Sequence, residues 1–190
     1  MPKGAAAAKQ DPRRRILDAA LALVATGGYE ALQVRAISER AGVSSRTIYA
    51  NFSSLDSLLI VAIAEQSEAL YTRFTGSPIR GRTAADRVDR MISDLTQTMT
   101  ANRELTVALL RALLSGKRDV SRFVTGFGGV LRTMLASAIA PDGPSARDRD
   151  IAELLESIWF SALVGWASGT TADGDIGRIM RRACRLLLAE

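Results

Sequence analysis

The sequence predicts an all-α protein of about nine helices, with a three-helix head, a long fourth helix leading out of it, and a C-terminal helical bundle. Three observations predict it. Apolar residues recur at three- and four-residue spacing along most of the chain, and no run alternates convincingly with the period of two that a half-buried strand needs. Clusters of Gly, Pro and Ser fall between these periodic segments and punctuate them. The chain has 190 residues, 47% of them apolar, enough for one well-buried domain or for a small domain fused to a larger one.

Each element has its own signal. Residues 1–10 are small, polar and basic and read as a disordered tail. Asp11 can cap a helix that Pro12 opens, Leu17, Ala20, Leu21 and Val24 line one face of it, and Gly27-Gly28 ends it. Tyr29 and Leu32 read as core residues of the connection. A short helix at 34–41 carries Val34, Ile37 and Ala41 on one side, Gly42 follows, and Ser44 can cap a second short helix at 45–50. Ser53-x-x-Asp56 reads as a capping box for a longer helix through Leu59, Ala62, Ile63, Leu70 and Phe74, which stops at Gly76-Ser77-Pro78. Further helices are expected at about 84–100, 103–115, 118–139, 147–168 and 174–188, with a loop at Pro141–Ser145. Gly126, Gly128 and Gly129 mark a kink, room for a ligand to approach the backbone, or a break between two helices. In domain terms, 11–55 reads as one small helical head and 56–190 as a second, larger helical region.

Composition narrows the function. The chain has no histidine, which removes the commonest general base, the commonest transition-metal ligand and any Ser–His or Cys–His pair. No paired-carboxylate motif and no Gly-rich phosphate loop stands out, so no catalytic residue, metal or cofactor is expected. The single cysteine, Cys184, sits in an apolar helical pattern and reads as a small buried hydrophobe. No stretch is apolar enough to span a membrane and the N-terminus lacks a secretion signal, so a cytoplasmic protein with no membrane partner is expected. The net charge is +5, and residues 1–53 hold eight basic against four acidic side chains, leaving only +1 for the other 137. A basic end on a nearly neutral body points to a polyanion partner at that end.

Residues 34–49 identify the polyanion. Two short helices that cross steeply need a tight turn, and Gly42 can take the left-handed conformation there. Ser38 and Ala41 are small enough for close packing, and Val43 and Ile48 plug the angle between the helices. The second helix is then free to present Ser45, Arg46, Thr47 and Tyr49 to the phosphates and base edges of a DNA major groove, and Ser44 caps an N-terminus that can itself meet a phosphate.

This order of residues resembles the TetR family of bacterial regulators. The resemblance runs over about 13–60, through Arg15–Ala20, Gly27–Leu32, Val34–Tyr49, Phe52 and Leu58. It implies a homodimer whose recognition helices enter successive major grooves of a palindromic double-stranded DNA operator. It also implies a C-terminal bundle that binds a small-molecule effector and releases the DNA. By resemblance, Arg46, Thr47 and Tyr49 contact DNA with Ser44, Ser45 and Asn51 nearby, and Arg35 meets phosphate. The basic run Arg13–Arg15 either reaches the DNA backbone or minor groove or stays solvated and idle. Three positions depart from the family pattern: Gln33 replaces a capping Thr or Ser, Asn51 an aromatic or His, and Leu55 a phosphate-touching Lys. Residues Arg13–Phe52 and Ile151–Leu188 are further similar to actinobacterial repressors of sterol catabolism, whose effectors are steroid acyl-CoA thioesters. That likeness implies an apolar cavity with a basic mouth, for which Arg73, Arg80, Arg82, Arg111 and Arg122 are candidates.

The C-terminal region offers two surfaces with competing readings. Ile151, Leu155, Ile158, Ala162 and Trp166 on one helix, with Ile179, Ala183 and Leu187 on the last, form an apolar face. It fits a dimer interface closed as a four-helix bundle, or ordinary intrachain core. Met91, Leu95, Met99, Leu109, Leu113, Phe123, Phe127 and Trp159 are candidate pocket walls, although Met and aromatic stripes at helical spacing are more often core. An activator with the same head, and a helical-bundle carrier or enzyme that binds no DNA, are the rival functions.

Overall fold

The computed structural model describes residues 11–75 and 80–189, and at residues 66–75, 121–125 and 127 it describes the helix but not the side chain. The expected tail at 1–10 and the expected stop at Gly76-Ser77-Pro78 lie outside the described residues. The described residues form nine α-helices and one short 3-10 turn, with no strand. The helices are α1 (Pro12–Gly27), α2 (Val34–Ala41), α3 (Ser45–Asn51), α4 (Leu55–Thr75), α5 (Ala84–Ala101), α6 (Arg103–Leu113), α7 (Arg118–Ile139), α8 (Ala146–Ala167) and α9 (Asp175–Leu187), and the 3-10 turn is Tyr29–Ala31. No single described helix is long and apolar enough to cross a membrane.

Helix ends follow local chemistry. Asp11 accepts the Arg13 N–H at 3.1 Å and Pro12 fills the first helical position of α1. Thr83 with Asp86 opens α5, and Ser145 with Asp148 opens α8, each as a reciprocal capping box. The bonds to the capping residues hold both carboxyls below the usual carboxylate range. The free carbonyls at the end of α7 are met from α5, where Arg87 donates to Ala138 O at 2.6 Å and to Ile139 O at 2.9 Å. The box that opens α4 is one residue later than expected. Ser54 Oγ accepts the Ser57 N–H at 3.1 Å and Ser57 Oγ accepts the Ser54 N–H at 3.1 Å, which leaves Ser53 and Asp56 for other partners. The three glycines at 126–129 do not break the chain into two helices, because α7 runs unbroken from Arg118 to Ile139. Gly128 gives room to the Glu156 carboxylate of α8, 3.4 Å from where a Cβ would stand.

Contacts divide the chain into two compact units. The first is Met1–Ser67 with Glu104–Phe123, and the second is Glu68–Arg103 with Val124–Glu190, among the described residues of each. The first unit therefore reaches beyond the residue-55 limit drawn from the sequence, taking in the start of α4, nearly all of α6 and the first turn of α7. In it, Ile16, Leu17, Ala20 and Val24 of α1 are buried together with Ile37 and Ala41 of α2 and Ile48 of α3. Each large aliphatic side chain so buried contributes roughly 1.5–3 kcal/mol.

In the second unit α9 packs on both α5 and α8. Trp159 is 1% exposed and its indole N–H donates to Thr96 Oγ1 at 2.9 Å. Trp166 donates to Asp173 Oδ1 at 2.6 Å, under the Arg103 guanidinium 4.7 Å from its ring. Both indoles thus bury their apolar body and satisfy their single donor. Cys184 is buried, and burial pushes its thiol up to about 11, which keeps it protonated at neutral pH.

Candidate nucleic-acid interface

The helix-turn-helix forms as its residue types require. Gly42 takes φ 62° and ψ 42°, a left-handed turn, and its N–H closes on Ser38 O. Val43 also donates to Ser38 O, at 3.2 Å. Ser44 then caps α3, accepting the Thr47 N–H at 3.2 Å, and its hydroxyl lies 2.9 Å from Thr47 Oγ1. Ile48 is the buried residue of α3. Ser45, Arg46, Tyr49 and Asn51 are exposed and Thr47 is half-buried. Tyr49, at 58% exposure, is a large aromatic left in solvent, and neither it nor Arg46 has a hydrogen-bond or ionic partner among the described residues. An aromatic ring and a guanidinium held out on a rigid two-turn helix present stacking, apolar and bidentate donor surfaces to a ligand.

Other expected contacts are already engaged within the chain. Ser44 is committed to its cap, and Asn51 donates from Nδ2 to Thr47 O at 2.8 Å. Arg35 pairs with Glu39 at 2.8 Å along the exposed face of α2. Arg13–Arg15, read as reaching DNA or idling in solvent, stand in the first turn of α1. Arg13 pairs with Glu65 at 2.6 Å and lies over Phe52, while Arg14 pairs with Asp18 at 3.1 Å. The Arg15 guanidinium stands against the turn, 3.4 Å from where a Cβ on Gly42 would lie. The α2 N-terminus has no side-chain cap at Gln33, the consequence of the Thr or Ser missing there. Arg40, at the last turn of α2, is exposed and unpaired among the described residues, and sequence reasoning passed over it.

A polar cluster within the first unit was also missed. Asp56 is fully buried, accepts the Tyr29 hydroxyl on Oδ1, and meets Lys117 Nζ at 2.7 Å on Oδ2. Asp119, two residues on, accepts Ser53 Oγ at 2.8 Å and Ser54 Oγ at 2.6 Å on one oxygen. Those two bonds hold its carboxyl below the usual range, and the bond to Asp56 raises the Lys117 ammonium. Arg111 lies over the Tyr29 ring at 4.3 Å and pairs with Glu30. One signal for this cluster was present in the sequence. Lys117 is one of three lysines against 22 arginines, and a compact ammonium suits a carboxylate oxygen whose neighbour is already taken, where an arginine fork would seek both.

The remaining candidates resolve differently. Of the expected dimer face, Ile151, Leu155, Ala162, Trp166 and Ala183 are buried inside the single chain, and Ile158, Ile179 and Leu187 are half-buried. The buried five are covered within the chain, where α8 and α9 pack on each other. The large apolar side chains left outside on these two helices are Leu154, 51% exposed, and Leu186, 72% exposed. Among the pocket candidates, Met91 and Trp159 are buried and Leu95 and Met99 half-buried in the second unit, whereas Leu109 and Leu113 are buried in the first. Phe123 and Phe127 have side chains outside the described residues, as do Arg73 and Arg122. Arg80 and Arg82 are exposed. Two open clefts in the second unit are bordered by other residues. One of about 580 Å³ is bordered by Ser93, Thr96, Gln97, Thr100 and Arg181, the other of about 460 Å³ by Arg132, Thr133, Ser137, Arg149 and Glu153.

With this geometry in place, likeness to known proteins is informative. Residues 16–62 match the model for bacterial regulatory proteins of the tetR family, and residues 81–187 match a Tetracyclin repressor-like C-terminal domain. The chain is 32% identical to the HTH-type transcriptional repressor KstR of Mycolicibacterium smegmatis, over 95% of this chain and 89% of the relative. Its fold is shared with a TetR transcriptional regulator from Rhodococcus sp. RHA1, at TM-score 0.80 and 23% identity, covering 96% of this chain and 98% of that one. It is also shared with Thermus thermophilus FadR in complex with lauroyl-CoA, at TM-score 0.75 and 19% identity, with 93% of each chain covered. The helix-turn-helix of α2 and α3 thus lies within the stretch that matches the tetR-family model, and the relatives are regulators and not enzymes: the chain belongs to the TetR family and is a TetR-type transcriptional repressor with an N-terminal helix-turn-helix DNA-binding domain.

Proposed function

We propose that the protein acts as a homodimer in the cytoplasm, holding a palindromic operator with one α3 from each subunit and releasing it when the C-terminal region binds a largely apolar effector, a steroid or another acyl-CoA thioester. The observation that carries the DNA half is α3 itself, where Arg46 and Tyr49 are exposed and, among the described residues, unpaired, while Arg13, Arg14 and Arg35 nearby are matched to carboxylates. Arg46, Tyr49, Ser45 and Thr47 make the base and phosphate contacts in this reading, Arg40 joins the phosphate contacts, and Arg35 does so by exchanging Glu39 for a phosphate. The effector half is supported by the resemblance to sterol-catabolism repressors and by the acyl-CoA bound to the T. thermophilus fold relative. Burial of such a ligand is a sufficient source of free energy, since moving a two-state population from 1:99 to 99:1 takes about 5.5 kcal/mol of differential affinity. For dimerisation, the outer faces of α8 and α9 with Leu154, Ile158, Ile179 and Leu186 supply the surface.

The test is selection of duplexes from a random pool by the purified protein, followed by binding titrations at several salt concentrations. A recovered palindrome, bound with a strong inverse salt dependence and released by a steroid acyl-CoA or long-chain acyl-CoA, is the expected outcome. Arg46→Ala or Tyr49→Ala should cost about 1–3 kcal/mol of specific binding. Equal binding of every duplex refutes the operator reading, and retention of DNA at saturating acyl-CoA refutes the effector reading.

A further inference from the structure

We propose that Asp119 is a positioning residue for operator recognition, setting the orientation of α3 through the joint between α3 and α4 without touching DNA. This rests on the operator-binding reading above. The helix that must be oriented is short, Ser45–Asn51, and Ile48 is the residue it buries. A helix of two turns does not hold itself; α3 packs on α1 and α2 through Ile48, and its ends fix what remains of its attitude. The N-terminal end is set by the Gly42 turn and the Ser44 cap. The C-terminal end passes through Phe52, Ser53 and Ser54 into α4, and the two helices are bent by 68° across that break.

Asp119 grips this joint from a helix distant in sequence. Its Oδ2 takes the hydroxyl of Ser53 at 2.8 Å and of Ser54 at 2.6 Å, the two consecutive residues on which the bend turns. Hydrogen bonds to an ionised acceptor are the stronger kind. Two residues earlier, just before α7, Lys117 reaches the fully buried Asp56 in the first turn of α4, so the chain entering α7 holds both the joint and the helix that follows it. The Ser54 and Ser57 box already completes the α4 N-terminus, so the Asp119 bonds are additional to helix capping.

A residue that orients the recognition helix governs the reading of bases, whereas phosphate attraction survives a small tilt. The experiment compares full-length wild type, Asp119→Ala, Ser53→Ala and the double variant. Each is titrated against the duplex selected by the wild type and against a random-sequence duplex, with circular dichroism melts run in parallel. Asp119→Ala is expected to weaken the selected duplex by about tenfold, equivalent to ~1.4 kcal/mol, with random-duplex affinity held within about twofold because that term is set by phosphate contacts. The double variant should lose less than the two single losses combined, because both substitutions break one contact. Selected-duplex affinity within about twofold of wild type in a folded Asp119→Ala protein overturns the proposal. So does an equal loss on both duplexes, and so does full additivity. Should Asp119→Ala melt below the assay temperature, Asp119→Asn, which keeps one acceptor oxygen, is expected to lose specificity in the same direction. An unchanged ratio for that variant overturns the proposal equally. If the wild type itself prefers no duplex, the operator reading has failed, an outcome distinct from a wild type and variants that discriminate alike.

Discussion

The ion pair between Lys117 and Asp56 should respond unequally to loss of its two partners. Asp56 is fully buried with the Tyr29 hydroxyl on one oxygen and Lys117 Nζ at 2.7 Å on the other, whereas the Lys117 side chain is 52% exposed. Lys117→Met leaves a carboxylate inside the protein with a single neutral donor and no counter-charge. Breaking a buried pair in this way costs about 3–5 kcal/mol. Some water reaches the vacated position because the lysine stem lies at the surface, so the lower end, about 3 kcal/mol, is the expected loss. Asp56→Asn leaves an ammonium that simply turns to solvent, and the amide still bonds Tyr29. Loss of one hydrogen bond to a charged group then costs about 1.5 kcal/mol. Urea unfolding of the full-length variants at one fixed protein concentration measures both, with concentration held because the proposed dimerisation would add to apparent stability. A Lys117→Met protein as stable as Asp56→Asn, or more so, would refute the reasoning, since it would mean that burial of the carboxylate is not what the lysine compensates.

Three further outcomes follow from the same structure. Gly42→Ala must place a Cβ at φ 62°, which costs about 1–2 kcal/mol, offset by roughly 0.4–1 kcal/mol from the stiffer unfolded chain. A net loss should appear in denaturant titrations and be smaller for Gly42→Asn, and a more stable Gly42→Ala protein contradicts the turn geometry. Tyr29 is pushed up to about 12 from 10, first by burial and then by its bond to Asp56. A raised value favours the neutral phenol in the folded state, so its contribution is whole below pH 10 and is lost as pH climbs from 10 to 12. Tyr29→Phe should therefore show a shallower fall in melting temperature over that interval, and an identical slope argues against it. Finally, Leu186→Asp on the outer face of α9 should shift the protein to monomer in sedimentation, while the same change at exposed Leu114 should not. Intact dimers of Leu186→Asp would move the interface elsewhere.

The sequence by itself determined what depends on neighbours along the chain. Helix periodicity, the Asp11-Pro12 start, the Gly42 turn and the Ser44 cap all act within four or five residues, and each was legible because its geometry is closed locally. The outward face of α3 was legible for the same reason: once Ile48 is known to point inward, Arg46 and Tyr49 must point out. What only the tertiary structure decided are choices between equivalent partners. Ser53-x-x-Asp56 and Ser54-x-x-Ser57 are both plausible capping boxes on paper. The second forms, and Asp56 is drawn instead to Tyr29 and Lys117, and Ser53 to Asp119, residues no local rule connects. The apolar stripe of α8 likewise could face a second subunit or its own chain, because burial rewards either equally. In the assembled chain α9 packs against α8, four of the stripe's residues are buried, and Leu154 of α8 and Leu186 of α9 lie outside. Hydrophobic periodicity states that a face must be covered, and only the assembled helices state what covers it.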